Sequence, residues 1–302
     1  MKEVKKNSLH AWLLAMRPKT LTGALVPVIL GTALASSDGQ LDVTAACLCA
    51  VFACVMQIAA NFINDLFDFL KGSDRADRLG PKRACAEGWI SPAAMKRGIL
   101  LTVVLGVCTG VALLIYTAPT LPLGGWELIV IGIACVAGAF LYTLRLAYMG
   151  WGDLLVLLFF GLVPVGATYY VQAHSLTANS LILGLAAGLA VDTLLVVNNY
   201  RDREQDAISG KRTLIVRFGE PFGRYLYLLM GLLAGLLPLW FVVEGKLHFN
   251  EYLWTMGIYL ALHMLTWKEL VNIRQGKELN AVLGETSRNM LIFALLLAIV
   301  LY

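Results

Sequence analysis

The stretch NFINDLFD at 61–68 ends a long apolar run and carries four polar side chains. On a helix, positions i, i+3, i+4 and i+7 share one face, so this spacing gathers the four on one side. The run that begins at residue 43 is long enough to cross a bilayer, which takes roughly 20 residues. The stretch therefore predicts a membrane-spanning helix with a polar cluster at its end. The four residues are Asn61, Asn64, Asp65 and Asp68.

A second segment, NNYRD at 198–202, repeats the spacing of the first. Each segment follows an apolar run, opens with Asn-x3-Asp, and leads to an Asp-x4-Lys-Arg sequence. The repeated spacing favours one joint site built from two matched halves. The corresponding residues are Asn61 and Asp65 with Asn198 and Asp202, and Asp77, Lys82 and Arg83 with Asp206, Lys211 and Arg212.

Hydrophobic residues make up 59 % of the 302 residues and charged residues 15 %, which is too apolar for a soluble domain. Backbone polar groups in lipid must be satisfied within each segment, so the apolar runs are expected to be helices. We predict an all-α integral membrane protein, a bundle of nine transmembrane helices in a single domain over 1–302. Two long cytoplasmic Asp-rich loops, 65–97 and 199–222, complete it. The predicted spans are about 18–36, 43–64, 98–117, 126–144, 151–171, 178–198, 223–243, 251–270 and 286–302.

The basic residues support that count of spans. With nine spans the loops alternate between two sides, and 24 lysines and arginines are present. All of them except Lys246 then fall on one side. Basic loops stay cytoplasmic, which predicts a multi-pass protein of the bacterial plasma or inner membrane with its N-terminus inside and its C-terminus outside. The net charge of +4 therefore reports topology, and no nucleic-acid-binding motif is present.

The two polar clusters have the chemistry of a metal and phosphate site. Carboxylates packed closely repel one another unless a cation lies between them. Oxygen ligands without histidine or cysteine suit Mg2+, which usually binds one or two carboxylates together with substrate phosphates. Nearby cations could hold the remaining phosphate oxygens. These cations are Lys71, Arg78, Lys82, Arg83, Arg201, Lys211 and Arg212.

These segments resemble the two Asp-rich motifs of the UbiA superfamily of intramembrane prenyltransferases. Within it they are most similar to the branch that prenylates 1,4-dihydroxy-2-naphthoate. The first motif runs from NDLFD at 64–68 to Gly80-Pro81, and the second from 198 to Leu214. RPKTL at 17–21 also fits, as does YT at 142–143 before FFG at 159–161. One departure is Gly72, which stands where the wider superfamily has an aspartate; Asp74 and Asp77 are offset instead, which fits the naphthoate branch.

The resemblance implies a Mg2+-dependent aromatic prenyltransferase. Its substrates would be a polyprenyl diphosphate and the aromatic acid 1,4-dihydroxy-2-naphthoate, and diphosphate and CO2 would be lost. The product would be demethylmenaquinol, in menaquinone biosynthesis. The implied catalytic residues are Asp65, Asp68, Asp202 and Asp206. The implied metal ligands are Asn64, Asp65, Asp68, Asp74, Asp202 and Asp206. The implied substrate-binding residues are Asn61, Asn64, Lys71, Asp77, Arg78, Arg145, Asn198, Asn199, Arg201, Lys211 and Arg212.

Asp192 is a further catalytic candidate. It lies ten residues before Asp202, about 15 Å deeper at 1.5 Å per residue. An aspartate within a membrane span is costly and is a functional hypothesis by default. It could orient the aromatic acceptor or accept a proton, and an interhelical hydrogen bond is an equal alternative. For Asp153 a helix N-terminal charge is the favoured interpretation.

Two alternative functions stay open, and a third is excluded by the sequence. The same fold could use another acceptor, such as 4-hydroxybenzoate, a tocopherol precursor or a glycerol phosphate. A cation-binding transporter would carry paired polar residues or broken helices near the bilayer centre, where Asp192 is nearly alone. A CDP-alcohol phosphotransferase would need a D-x2-D-G-x2-A-R signature, which the sequence lacks.

Overall fold

The computed structural model describes residues 4–72 and 78–302, and within these ranges all regular structure is helical. Short 3-10 helices cover Pro18–Thr20 and Ala147–Met149, and π-helices cover Tyr142–Leu146 and Leu158–Leu162. The α-helices are α1 (Leu9–Met16), α2 (Leu21–Ser37), α3 (Val43–Leu70), α4 (Pro92–Thr117), α5 (Trp126–Leu141), α6 (Gly152–Leu157), α7 (Val163–Ala173), α8 (Ala178–Ile208), α9 (Leu214–Phe218), α10 (Glu220–Leu236), α11 (Leu239–Val243), α12 (Phe249–Ile273) and α13 (Leu279–Leu301).

Eight helical segments of the described chain are long and apolar enough to cross a membrane. They coincide with eight of the nine predicted spans, and large apolar side chains are exposed on their outer faces, as lipid-facing surfaces require. The remaining predicted span, 251–270, folds as the 25-residue helix α12, which is not among these eight. The protein is therefore an all-helical, multi-pass membrane protein, and the count of nine spans stays a prediction.

Polar caps begin several of these helices. The Asp42 carboxylate accepts a hydrogen bond from the Ala45 backbone N–H at 3.0 Å and starts α3. Ser91 caps α4 in the same way, with Pro92 at the first helical position. Such caps satisfy backbone N–H groups that a helix leaves without an internal partner. They fix the residue at which each helix begins.

The two predicted long loops are shorter than expected, because both motif helices continue past the membrane runs. Helix α3 extends to Leu70 and α8 to Ile208, so Asp68 and Asp206 still lie on helices and only the later part of each motif follows the helix end. Both helices end in front of a glycine with positive φ, Gly72 at 68° and Gly210 at 77°. Glycine adopts this conformation without a Cβ penalty and is the usual residue just past a helix end. The loop boundaries predicted at 65 and 199 were therefore wrong.

Helix α8 lies at the centre of the bundle and packs against α10, α6, α13 and α2. It approaches the π-helical segment Leu158–Leu162 backbone to backbone. A Cβ at Gly161 would lie 2.5 Å from the carbonyl oxygen of Gly184, and one at Gly188 would lie 3.0 Å from the Leu157 Cα. Small residues permit such close packing in membranes. This contact sets the register of α8 and so the position of the second motif.

Candidate active site

A cavity of about 1450 Å³ lies within the bundle. Its apolar part is lined by α3, α4 and α5, with Phe52, Met56 and Val136 among the side chains. Its polar part is lined by the ends of α3 and α8 and by residues 78–83. Pockets for small molecules usually measure about 300–1,000 Å³. The cavity thus has room for a charged head group together with a long apolar group.

The side chains of the first motif do not all have the same surroundings. Asn64 and Asp68 line the cavity, and the Asn64 side-chain oxygen accepts a hydrogen bond from the Thr143 hydroxyl. Asp68 accepts from Arg83 at 3.2 Å. Asn61 borders the cavity too, but its amide donates to the Met16 carbonyl at 2.9 Å and so ties down the turn between α1 and α2.

Asp65 is not among the residues that line the cavity. Its side chain is 1 % exposed, and its two oxygens each accept one backbone N–H bond at 2.8 Å, from Ala84 and from Cys85. Arg17 Nη2 lies 3.7 Å from the same carboxylate. Asp65 is thus occupied by the polypeptide, and the metal-binding role that the resemblance implies for it stays a prediction.

The second motif presents all of its predicted polar residues except Arg212 to the cavity. Arg201 makes a two-pronged ion pair with Asp202, with both N–O distances 2.7 Å, and donates to the Asn280 side-chain oxygen at 2.9 Å. Lys211 Nζ lies 3.6 Å from the Asp206 carboxylate. The cavity-lining members of this motif are Asn198, Asn199, Arg201, Asp202, Asp206 and Lys211.

A cation pairs with each of the three motif carboxylates that line the cavity, Asp68, Asp202 and Asp206. Burial alone would lower the pKa of Lys211, but the Asp68 and Asp206 carboxylates raise that pKa above its ordinary value. Lys211 is therefore held in its charged form beside both motifs. Together with Arg83 it supplies positive charge at the polar end of the cavity, where an anionic group would bind.

Three predicted phosphate-binding cations lie away from the cavity. Lys71 Nζ donates to the carbonyls of Thr143 and Leu144 at 3.1 and 2.9 Å, which ties the end of α3 to the π-helix Tyr142–Leu146. The Arg145 side chain is exposed, and Arg212 borders a second, smaller pocket. Arg78 does line the cavity. Asp74 and Asp77 fall outside the described residues.

Asp192 is fully buried in α8, and neither of its carboxylate oxygens has a hydrogen-bond partner among the described residues. It is also absent from the cavity lining, although Val191, Leu194 and Leu195 belong to it. Asp153 lies in the first turn of α6, as the sequence predicted, and it also lines the cavity. The predicted hydrogen bond of Asp192 to another helix is not seen in the described chain.

Asn280 and Tyr148 belong to the site although no pattern in the sequence marks them. Asn280 is at the start of α13, lines the cavity, and donates to the Leu79 carbonyl at 2.9 Å. Tyr148 lines the cavity with its ring 4.1 Å from Lys71 Nζ. A lone asparagine and a lone tyrosine carry no spacing signal, so only their positions in the fold mark them.

The donor set in the cavity fits Mg2+ bound together with a diphosphate. No group of three His, Cys, Asp or Glu side chains in the described ranges is arranged to hold a metal by itself. Mg2+ needs fewer protein ligands, because it keeps waters and takes oxygens from substrate phosphates. The available oxygen ligands come from both motifs and face Arg83 and Lys211. They are Asn64, Asp68, Asn198, Asp202 and Asp206.

Known proteins resemble this chain in sequence. A model of the UbiA prenyltransferase family matches residues 24–291. A 1,4-dihydroxy-2-naphthoate octaprenyltransferase from Escherichia coli K12 is 40 % identical over 239 residues, which are 78 % of this chain and 77 % of the relative. A protein with the same name from Haemophilus influenzae is 34 % identical and covers 99 % of this chain and 97 % of its own.

Solved structures share the fold. A UbiA homolog from Aeropyrum pernix K1 superposes with a TM-score of 0.71 at 16 % identity, over 94 % of this chain and 98 % of that one. A UbiA homolog from Archaeoglobus fulgidus, solved with DMAPP and Mg2+, gives 0.65 at 14 % identity, over 96 % and 98 %. With the family model spanning most of the sequence, the chain belongs to the UbiA prenyltransferase family.

Proposed function

We propose that this protein transfers a polyprenyl group from a polyprenyl diphosphate to 1,4-dihydroxy-2-naphthoate, with release of diphosphate and CO2. The product is demethylmenaquinol, an intermediate of menaquinone biosynthesis. The observation that carries the proposal is the cavity, in which Asn64 and Asp68 of one motif and Asp202 and Asp206 of the other share a polar end above a large apolar chamber. The names of the relatives support this acceptor and a long prenyl donor.

Asn64, Asp68, Asp202 and Asp206 are the residues that would hold Mg2+. When bound, the metal supplies charge neutralisation for the leaving diphosphate. Asp65, which the resemblance also names, points away from this set. Arg83 and Lys211 extend the positive field toward the phosphate oxygens, a preorganised arrangement that favours the charge developing as the bond breaks.

The proposed reaction accounts for every bond and electron pair without an added oxidant, reductant or other co-reactant. The bond between the first prenyl carbon and oxygen breaks, and its electron pair leaves with diphosphate. The ring carbon that bears the carboxylate forms the new carbon–carbon bond, and loss of CO2 returns an electron pair to the ring. Tyr142 lines the cavity, next in the chain to Thr143, whose hydroxyl donates to Asn64, and an aromatic face can stabilise a cation.

The apolar chamber protects the reaction from water. An allylic cation would react with water, so a closed site must exclude it. Met56 and Val136 belong to the walls of the chamber, and Gly132 leaves open space there. The prenyl tail of the donor fits this part of the cavity.

The distribution of basic residues supports a location in a bacterial plasma membrane with both motifs at the cytoplasmic face, the N-terminus inside and the C-terminus outside. This orientation supports access of a charged diphosphate and a soluble aromatic acid from the cytoplasm.

The test is turnover by purified protein in lipid vesicles. Mg2+ and octaprenyl diphosphate are supplied with 1,4-dihydroxy-2-naphthoate or 4-hydroxybenzoate, and products are identified by mass. We expect prenylated, decarboxylated product from the naphthoate. Preferential use of 4-hydroxybenzoate would reassign the acceptor. Vesicles that take up a divalent cation but form no prenylated product would favour the transporter alternative.

A further inference from the structure

Residues 79–85 form a strap across the polar end of the cavity, and both motifs hold it. The strap runs from Leu79 to Cys85 and brings Arg83 to the cavity lining. Arg83 is 8 % exposed and pairs with Asp68. The position of the strap therefore decides where this cation meets an anionic substrate.

Asp65 holds one end of the strap. Its two carboxylate oxygens accept the backbone N–H groups of Ala84 and Cys85, each at 2.8 Å. Both partner residues are buried, at 2 % and 3 % exposure. Hydrogen bonds to an ionised acceptor are roughly twice as strong as neutral ones. The carboxylate is aimed at the polypeptide next to Arg83 and away from the cavity.

Asn280 and Arg201 hold the other end. The Asn280 amide donates to the Leu79 carbonyl at 2.9 Å, and its oxygen accepts from Arg201 Nη1 at 2.9 Å. A Cβ at Gly80 would lie 2.6 Å from Arg201 Nη2, so the strap lies directly against this guanidinium. Arg201 is in turn fixed by its two bonds to Asp202.

We propose that Asp65 and Asn280 are positioning residues, which fix the strap so that Arg83 meets the diphosphate, and that Asp65 does not bind the metal. The donor-binding part of this inference rests on the proposed function. The first motif thus serves two purposes: Asn64 and Asp68 face the substrate, while Asp65 anchors the strap.

The Cys85 thiol is buried next to the hydrogen bonds of Asp65, so its reactivity measures whether the strap is held in place. The experiment compares wild type, Asp65→Asn and Asp206→Asn. It follows labelling of Cys85 by a hydrophilic maleimide, with peptide mapping by mass spectrometry. In Asp65→Asn the amide can keep only one of the two acceptors, and we expect labelling about tenfold faster, the factor for loss of one charge-assisted hydrogen bond. Asp206→Asn does not touch the strap and should label at the wild-type rate.

Steady-state kinetics should separate the two variants by the substrate parameter that each one changes. Asp65→Asn should raise the KM for octaprenyl diphosphate about tenfold and leave the Mg2+ concentration for half-maximal rate unchanged. Asp206→Asn should raise that Mg2+ concentration. Asn280→Ala should show the same split as Asp65→Asn, and it serves as the second variant if Asp65→Asn does not fold.

Unchanged Cys85 labelling in Asp65→Asn would overturn the anchor. A raised Mg2+ requirement in Asp65→Asn or Asn280→Ala would overturn the positioning role. If wild type transfers no prenyl group at all, the proposed function fails, and the Cys85 labelling still decides whether Asp65 holds the strap.

Discussion

Arg83 and Asp68 form an ion pair at the polar end of the cavity, with 3.2 Å between Nη2 and Oδ2 and side chains only 9 % and 8 % exposed. The pair joins helix α3 to a segment 15 residues further along the chain. Two charges buried together are stable only while both are present, because removal of one leaves the other uncompensated. A substrate diphosphate with Mg2+ would satisfy both: the cation side chain gains a phosphate and the carboxylate gains a metal.

Asp68→Asn should lower the initial rate at least as much as the loss of an outer-shell partner of a metal ligand, which costs about 10–100-fold. The amide loses the charge that holds Mg2+ and that pairs with Arg83. Rates are measured at saturating substrates in vesicles. Asp38→Asn is the matched control: Asp38 also pairs with a cation, Lys246, and accepts from Tyr169, but it does not line the cavity. Equal losses in both variants would point to instability rather than chemistry.

Removal of divalent metal should stop the reaction. The cavity offers oxygen ligands from Asn64, Asp68, Asp202 and Asp206, a set that suits Mg2+ or Mn2+. We expect EDTA to abolish product formation and excess Mg2+ or Mn2+ to restore it. EDTA should also weaken the binding of the prenyl diphosphate donor, which is measured by fluorescence. Full turnover in a preparation shown by elemental analysis to be metal-free would contradict the site.

Gly132→Leu should discriminate against long donors. Gly132 lines the apolar chamber, and a Cβ there meets nothing within 4 Å, so the larger side chain fills space without a clash. Octaprenyl transfer should slow more than geranyl transfer. Gly257→Leu is the control, because Gly257 has equally open surroundings but lies outside the cavity. A uniform slowing with both donors would argue that the tail lies elsewhere.

Asp192→Asn should leave the KM for both substrates unchanged. The side chain is fully buried, lacks hydrogen-bond partners in the described chain, and does not line the cavity. The substitution replaces a buried carboxyl group with an amide of the same size, which is also polar. The midpoint of thermal unfolding should therefore not fall. Saturation curves for donor and acceptor are measured separately. A rise confined to the acceptor KM would restore the acceptor-orienting interpretation.

Hydropathy and motif spacing predicted much of this fold. Eight predicted spans match helices that can cross a membrane, because an apolar run of that length has only one stable backbone conformation in lipid. The loop boundaries at 65 and 199 were placed too early, because charged residues just past an apolar run suggest a loop, whereas both helices continue to Leu70 and Ile208. The signal for the true ends was present in Gly72 and Gly210.

The sequence by itself determined that two sets of oxygen ligands end two membrane helices, since helical spacing places Asn61, Asn64, Asp65 and Asp68 on one side. Only the tertiary structure decided that Asp68 faces the cavity while Asp65 faces the strap. Helical periodicity limits a side chain to one side of its helix, but that side is wide enough to meet two different neighbours. Those neighbours come from other parts of the chain, and their packing gives Asp68 and Asp65 different surroundings.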